Sequence, residues 1–182
     1  MFAVAVAILA LAFSASTASA STADSTSLYA SQAKQAGLTT SQAAKLQKEV
    51  DRYLAQTGGK QVAANVIDLG HKSLMFVALP GEAHPRDMTN GVLYDPCSLG
   101  YADYQYFCAY SDIGFEGSSI PMYKCQLYQI PWIANGSWIN NQTQGTVAQF
   151  LDNNGRVGWQ DPGAFYVDGN APWYWVHWIR NC

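Results

Sequence analysis

Charged residues are scarce in this sequence. Of its 182 residues only 13% are charged, about half the share of an average globular domain. Ten Lys and Arg stand against thirteen Asp and Glu, a net charge of −3, so the basic excess of a nucleic-acid-binding protein is missing. Apolar residues make up 49%, a share that excludes intrinsic disorder. We expect a folded protein that does not bind nucleic acid.

Catalytic and metal-binding motifs are lacking as well. The sequence contains neither the Gly-x-Ser-x-Gly motif of hydrolases nor the His-Glu-x-x-His motif of zinc peptidases. It has no Cys-x-x-Cys pair, and its three histidines, His71, His84 and His177, lie far apart. His177 lies among tryptophans, where a histidine is usually structural. Asp161 and Asp168 lie beside Gly or Pro in predicted turns, a common place for non-catalytic carboxylates. We therefore predict no enzymatic activity.

The apolar run at the start of the chain is too short to cross a bilayer. Residues 2–13 form this run, whereas a membrane span needs about 20 apolar residues. Ala18-Ser19-Ala20 then has the small-x-small pattern of a signal-peptidase site, so we assign residues 1–20 to a signal peptide. A basic start is missing, which we attribute to a gene start placed too late; the alternative is an apolar anchor helix. We predict secretion, with no membrane association after processing.

The four cysteines agree with secretion. They all lie in the second half of the chain, and an even number in a secreted protein indicates disulfide bonds. Four cysteines allow three pairings. We favour Cys97–Cys108, which closes the shortest loop and leaves Cys125–Cys182 to hold the C-terminus, while the other two pairings stay open. In the chain-entropy model each closure contributes about 3–4.5 kcal/mol.

Residues 21–96 predict a small unit of helices and a β-hairpin. Thr39, with Gln42 three positions later, is the capping box of an amphipathic helix that ends at Gly58-Gly59. The other predicted elements are a polar tail over 21–27, a helix over 28–36, strands over 61–69 and 73–79, and a linker over 82–96. This unit either packs on the second half or is a propeptide.

Residues 97–182 differ from residues 21–96 in composition and in hydrophobic pattern. They contain all six Trp of the chain. Short alternating segments separated by turns predict a β-sandwich or barrel. The predicted strands cover 104–110, 120–125, 127–130, 146–151, 156–160, 164–167 and 174–180. Along the last strand, Trp173 and Trp175 would share one face and Trp178 the other.

One hairpin carries a recognisable pattern. Tyr110, Phe115 and Gly117 are spaced as aromatic, four residues, aromatic, one residue, glycine, and this resembles the Greek-key signature of βγ-crystallin-like domains. With Cys97 and Cys108 before it, the segment resembles the Streptomyces-type metalloproteinase-inhibitor family of secreted actinobacterial proteins. The resemblance implies a mainly β fold, a βγ-crystallin-like Greek-key sandwich preceded by the small helix–hairpin unit.

The second half of the repeat is degenerate. Trp138-Ile-Asn140-Asn141 followed by Thr146-Val147 resembles the second Greek-key half of that family, but Gly155 and Val157 stand where its aromatic and glycine belong. Asn140 and Asn141 begin a crystallin-type calcium signature whose hydroxyl positions are lost and whose run holds no carboxylate. Calcium prefers six to eight oxygen ligands, usually some of them charged. We expect no cofactor, with calcium as the alternative.

The resemblance implies a secreted inhibitor of an extracellular metallo- or serine endopeptidase. Such an inhibitor presents a loop that is rigid before binding, and disulfides would support it. The candidate loops are 129–135, in which Pro131 stiffens Trp132, and 160–163. The alternative function is a carbohydrate- or cell-wall-binding or antimicrobial module of the same fold, in which exposed rings such as Trp173 and Trp175 would stack on sugars.

Overall fold

The computed structural model describes the backbone from Ala20 and the side chains from Ser27 to the C-terminus. The predicted signal peptide, apart from its last residue, lies outside the described residues. The described chain is mainly β, with two antiparallel sheets and two α-helices. Helix α1 spans Ala20–Gln35, so the prediction of a polar tail over 21–27 is wrong. No Gly or Pro interrupts this stretch, and the helix ends shortly before Gly37, whose φ is +79°.

Helix α2 confirms the capping prediction. It spans Thr40–Thr57, and Thr39 and Gln42 form the reciprocal box: Gln42 N donates to Thr39 Oγ1 over 3.2 Å, and Thr39 N donates to Gln42 Oε1 over 2.9 Å. Gly58 closes the helix in the left-handed conformation. The helix buries one apolar stripe against the sheets, consisting of Leu46, Val50 and Tyr53.

Three short strands follow α2. They are β1 Lys60–Ala63, β2 Val66–Gly70 and β3 Ser73–Phe76. The single strand predicted over 61–69 is wrong, because the chain turns back at Ala64-Asn65. The turn between β2 and β3 is as predicted: His71 and Lys72 both have positive φ, the geometry that suits a two-residue hairpin.

Eight further strands lie beyond Cys97. They are β4 Tyr106–Tyr110, β5 Ser119–Met122, β6 Leu127–Gln129, β7 Asn135–Asn141, β8 Gln149–Leu151, β9 Val157–Gln160, β10 Tyr166–Pro172 and β11 Trp178–Arg180. Strand β7 was not predicted as a strand of its own, since its Asn and Gly residues have low strand propensity. The strand predicted over 174–180 is wrong in its first half. Trp173–Trp175 forms a 3-10 turn, so Trp173 and Trp175 do not share the face of a strand.

The strands after Cys97 fall into two units of four that exchange a strand. In the first unit β4, β5 and β7 belong to the seven-stranded sheet, while β6 lies in the four-stranded sheet. In the second unit β8, β9 and β11 belong to the four-stranded sheet, and β10 crosses to the seven-stranded one. Each sheet therefore contains the third strand of the other unit. The segments that cross between the sheets include residues 130–134, between β6 and β7.

The segment before Cys97 shares a sheet and a core with the segment after it. The larger sheet has the order β1-β2-β3-β5-β4-β7-β10, and β3 meets β5 where Phe76 pairs with Ser119. The main core combines Val50 and Tyr53 of α2 with residues of the second half such as Trp132. Both parts of the chain thus contribute to one hydrophobic core.

Two disulfides cross-link residues 97–182. Cys97 is bonded to Cys108 in β4, with 5.6 Å between their Cα atoms. Cys125 is bonded to the final residue, Cys182, with a Cα separation of 5.4 Å. These are the pairings favoured from the spacing. The second bond fixes the C-terminus, directly after β11, to the connection between β5 and β6.

Candidate functional site

The hairpin between β4 and β5 is folded onto itself. The rings of Tyr110 and Phe115 meet edge to face, with centroids 6.2 Å apart. Gly117 has a φ of +83°, and a Cβ at this position would collide with the side chains of Ser111 and Asp112. The three residues that carry the pattern therefore stabilise the folded conformation of this hairpin.

Hydrogen bonds from a neighbouring strand hold the folded hairpin in place. Ser137 of β7 donates from its Oγ to the carbonyl oxygen of Asp112 over 2.6 Å, and the same Oγ accepts from Phe115 N over 2.8 Å. The hydroxyl of Tyr110 donates to the carbonyl oxygen of Tyr101 over 2.6 Å, and burial raises its pKa. The hairpin is thus fixed to β7 and to the segment before β4.

The 131–134 loop presents one apolar side chain between fixed neighbours. Trp132 is 6% exposed, and its indole Nε1 donates to the hydroxyl of Tyr53 over 3.1 Å. The next residue, Ile133, is 80% exposed. Of the two residues predicted here as partner contacts, both Pro131 and Trp132 are buried. The exposed apolar group of the loop is Ile133, which the sequence did not distinguish.

Both ends of this loop are anchored. Before it, Ile130 N donates to the carbonyl oxygen of His177 over 3.0 Å. After it, Asn135 Nδ2 donates to Asn170 Oδ1 over 2.8 Å, which joins the first residue of β7 to β10. The loop therefore connects the two sheets with little freedom at either end.

A cavity of about 310 Å³ lies between this loop and helix α2. Its rim carries the ion pair of Arg52 with Glu49. The Arg52 guanidinium also lies over the Tyr53 ring, 4.0 Å from its centroid. The hydrogen bond to Glu49 raises the pKa of Arg52. The α2 wall of the cavity thus carries charged groups, whereas the loop lines it with apolar residues that include Ile133.

Of the other two tryptophans predicted as partner contacts, Trp173 packs against the loop, with its ring centroid 6.1 Å from that of Trp132. Trp173 is buried, and its Nε1 donates to the carbonyl oxygen of Tyr110 over 2.8 Å, so it offers no ring face to a partner at the surface. Trp175 is half-buried and lines a second cavity, between the edges of the two sheets. We call this the aromatic cavity; its other lining residues include Trp138, Trp159 and Asp168. The sequence gives no signal for the exposure of Trp159, because neighbouring strands decide it.

The two asparagines considered for calcium bind other parts of the protein. Asn140 is buried; its Nδ2 donates to Asp161 Oδ2 over 2.7 Å and to the carbonyl oxygen of Thr146 over 2.9 Å. Its Oδ1 accepts from the backbone N of Gln142. Asn141 donates to a carbonyl oxygen over 2.8 Å. Within residues 20–182 no three His, Cys, Asp or Glu side chains come together as a metal-binding group.

Asp161 joins three segments of the second half. Besides accepting from Asn140, its carboxylate accepts from the backbone N of Ala148 over 2.9 Å and of Gly163 over 3.0 Å. The second candidate loop, 160–163, is therefore held by the buried carboxylate of Asp161.

Neither of the two described α-helices has the length and apolar character of a membrane span.

Comparisons of the chain with models of protein families, with curated proteins and with solved structures find no match.

Proposed function

We propose that this protein is a secreted inhibitor of an extracellular endopeptidase and that the 131–134 loop is its contact with the enzyme. The observation that carries the proposal is Ile133, an exposed apolar side chain directly after a buried, hydrogen-bonded tryptophan. An exposed apolar residue on a fixed loop suits the apolar specificity pocket of a metallo- or serine endopeptidase. We assign no catalytic residue to this chain.

The anchoring of the loop supports this role. A flexible loop loses conformational entropy when an enzyme binds it, and this loss weakens the complex. Here Ile130, Trp132 and Asn135 are each held by a hydrogen bond to a distant part of the chain. Much of the ordering is therefore complete before the partner arrives, as an inhibitor that must outcompete substrate requires.

The proposed fold agrees with the inhibitor family. We propose that residues 97–182 form a βγ-crystallin-like Greek-key sandwich. Support comes from the exchange of β6 and β10 between the sheets, from β7 lying beside β4, and from the folded hairpin with its Tyr110–Phe115 ring contact. The second hairpin, between β8 and β9, is a tight turn instead, in keeping with the degenerate second repeat.

Secretion is part of the proposal. Disulfides persist in oxidising compartments and are rare in the cytosol. All four cysteines of the chain are paired, one bond beside the folded hairpin and one at the C-terminus.

The test is an inhibition assay with a matched pair of variants. Purified protein is titrated against a panel of secreted metallo- and serine endopeptidases, and we expect near-stoichiometric inhibition of at least one. Ile133→Asp should weaken that inhibition by at least about tenfold, because a carboxylate would be buried in an apolar pocket. Ile113→Asp is the control, since Ile113 is also exposed, at 56%, but lies on the folded hairpin.

Two results would overturn the proposal. One is a failure to inhibit any enzyme of the panel. The other is an equal loss of inhibition in both variants, which would place the contact elsewhere. Circular dichroism of the two variants distinguishes a lost contact from a lost fold.

A further inference from the structure

The aromatic cavity opens where the two sheets end. Strand β9 is the edge of the four-stranded sheet and β10 the edge of the seven-stranded one. The cavity between them has a volume of about 350 Å³, within the range of small-ligand sites. Its walls include four tryptophans from three different elements: Trp138 of β7, Trp159 of β9, and Trp173 and Trp175 of the 3-10 turn.

The rings are arranged from a buried floor to an exposed mouth. Trp138 is only 1% exposed and lies at the bottom. The ring of Trp159 lies 5.9 Å from it, and that of Tyr166 lies 6.0 Å from it. Trp159 is 42% exposed, so part of its ring is open to a ligand. The cavity thus offers aromatic surface that the protein itself leaves uncovered.

The position of Trp175 depends on a glycine. A Cβ at Gly158 of β9 would lie only 2.5 Å from Cζ3 of Trp175. The indole can lie against the strand because residue 158 has no side chain. This contact holds the half-buried ring at the wall of the cavity.

One carboxylate faces these rings. Asp168 pairs with Trp138 in the register of β10 and β7, so both side chains leave the same face of the sheet. It is the single charged residue among those that line the cavity. Its Oδ1 accepts from Asn170 N over 2.9 Å, whereas no described residue donates to Oδ2 or forms an ion pair with the group.

An unpaired carboxylate beside aromatic faces attracts a cation. The face of an indole carries the negative part of its quadrupole and attracts cations, and Trp is the strongest of the aromatic side chains in this respect. A half-buried carboxylate gains from a positive partner. A neutral sugar could donate hydroxyl hydrogen bonds to Asp168 but would not neutralise its charge, and a phosphate group would be repelled by it.

We propose that the aromatic cavity binds a small quaternary-ammonium cation. Such a cation is weakly hydrated, so it loses little on leaving water, in contrast to a lysine ammonium group. Its methyl groups pack against Trp159 and Trp175, and its positive charge lies near Asp168. This site uses different residues from the 131–134 loop, so it stands or falls independently of the inhibitor proposal.

The experiment titrates the intact, oxidised protein with choline by calorimetry and tryptophan fluorescence. The control ligand is 3,3-dimethyl-1-butanol, in which a carbon replaces the nitrogen. We expect choline to bind and the neutral isostere to bind at least about tenfold more weakly. Phosphocholine should also bind more weakly than choline. N-acetylglucosamine oligomers are titrated in the same way, to test whether the cavity binds saccharides instead.

Two variants test the assigned residues. Asp168→Asn removes the charge while keeping the shape, and should weaken choline binding by about tenfold. Asp68→Asn is the matched control. Asp68 also accepts a hydrogen bond from the backbone N two residues on, that of Gly70, but it lies on β2, outside the cavity. Choline binding should therefore be unchanged in this variant. Gly158→Ala should displace Trp175 and weaken binding as well.

Several outcomes would overturn the proposal. They are equal binding of choline and its neutral isostere, no effect of Asp168→Asn, or a response to the saccharides alone. Absence of choline binding by the folded wild-type protein would also overturn it.

Discussion

The indole Nε1 of Trp132 donates a hydrogen bond to the hydroxyl of Tyr53 over 3.1 Å. The bond joins helix α2 to the loop that crosses between the two sheets, 79 residues further along the chain. Both groups are buried, so the bond is shielded from water. The N-terminal part of the chain therefore positions the residue next to Ile133.

Removing the hydroxyl should loosen the loop. Tyr53→Phe leaves the buried Trp132 N–H without an acceptor, which should lower the free energy of unfolding by about 1–3 kcal/mol. The proposed inhibition through the 131–134 loop should weaken with it. Urea unfolding and an inhibition assay measure the two effects.

Tyr29→Phe is the control for this variant. The Tyr29 hydroxyl donates to the carbonyl oxygen of Gln61 over 2.9 Å, between α1 and β1 and away from the loop. It should lower stability without changing the inhibition constant. If both variants changed inhibition equally, Tyr53 would have no specific role in positioning the loop.

A chain that begins at Cys97 should be far less stable than residues 21–182. It would lack β1, β2, β3 and the apolar stripe of α2, so the larger sheet would lose three strands and the core would be exposed to water. Thermal unfolding of the two chains, both oxidised, measures the difference. Equal stability together with full inhibition would instead identify residues 21–96 as a removable propeptide.

Gly136→Ala should be strongly destabilising. A Cβ on Gly136 of β7 would collide with Nε1 of Trp173 and with the carbonyl oxygen of Tyr110, the two ends of a buried hydrogen bond. Overpacking of this kind costs about 1–3 kcal/mol. Gly169→Ala is the control, because the nearest atom to its added Cβ is Phe115 Cζ, at an ordinary 3.8 Å. Equal denaturant midpoints for the two variants would contradict the expectation.

Asp95 should make stability depend on pH. Burial raises the pKa of this carboxyl above its usual 3.8, although Cys97 N and Ser119 Oγ donate to it over 2.9 and 2.8 Å. Between the usual and the raised pKa, the folded state holds a proton that the unfolded state has released. The contribution of Asp95 to the free energy of unfolding therefore falls as the pH rises through this window.

The variant Asp95→Asn isolates this effect. Relative to it, the wild-type protein should gain stability as the pH falls towards 3.8, the usual pKa of the carboxyl, as measured by urea unfolding at each pH. A constant difference between the two proteins would show that Asp95 does not titrate in this range.

Short sequence motifs predicted the elements that are determined by residues close together in the chain. The Thr39–Gln42 capping box specifies the start of α2, and Gly58, in the left-handed conformation, specifies its end. The disulfide pairing favoured from the loop lengths is the one in the structure, although Cys125 and Cys182 are separated by 57 residues.

Elements decided by distant contacts were not predictable in the same way. The turn at Ala64-Asn65 contains neither Gly nor Pro; Asn65 is held by Val77, directly after β3, whose N donates to the Asn65 carbonyl oxygen and whose carbonyl oxygen accepts from Asn65 Nδ2. At Trp173–Trp175 an aromatic repeat of period two suggested a strand, but Trp173 turns inwards to Tyr110. For the same reason the sequence could not tell that Trp132 is buried and Ile133 exposed.

The strand exchange also bears on how the chain opens. Strand β11 lies between β6 of one unit and β8 of the other, and the disulfide to Cys125 follows two residues after it. Strand β11 cannot leave the sheet alone, since two ladders and a covalent bond must be released together. Local opening at this strand, one entry for proteolysis, is therefore disfavoured.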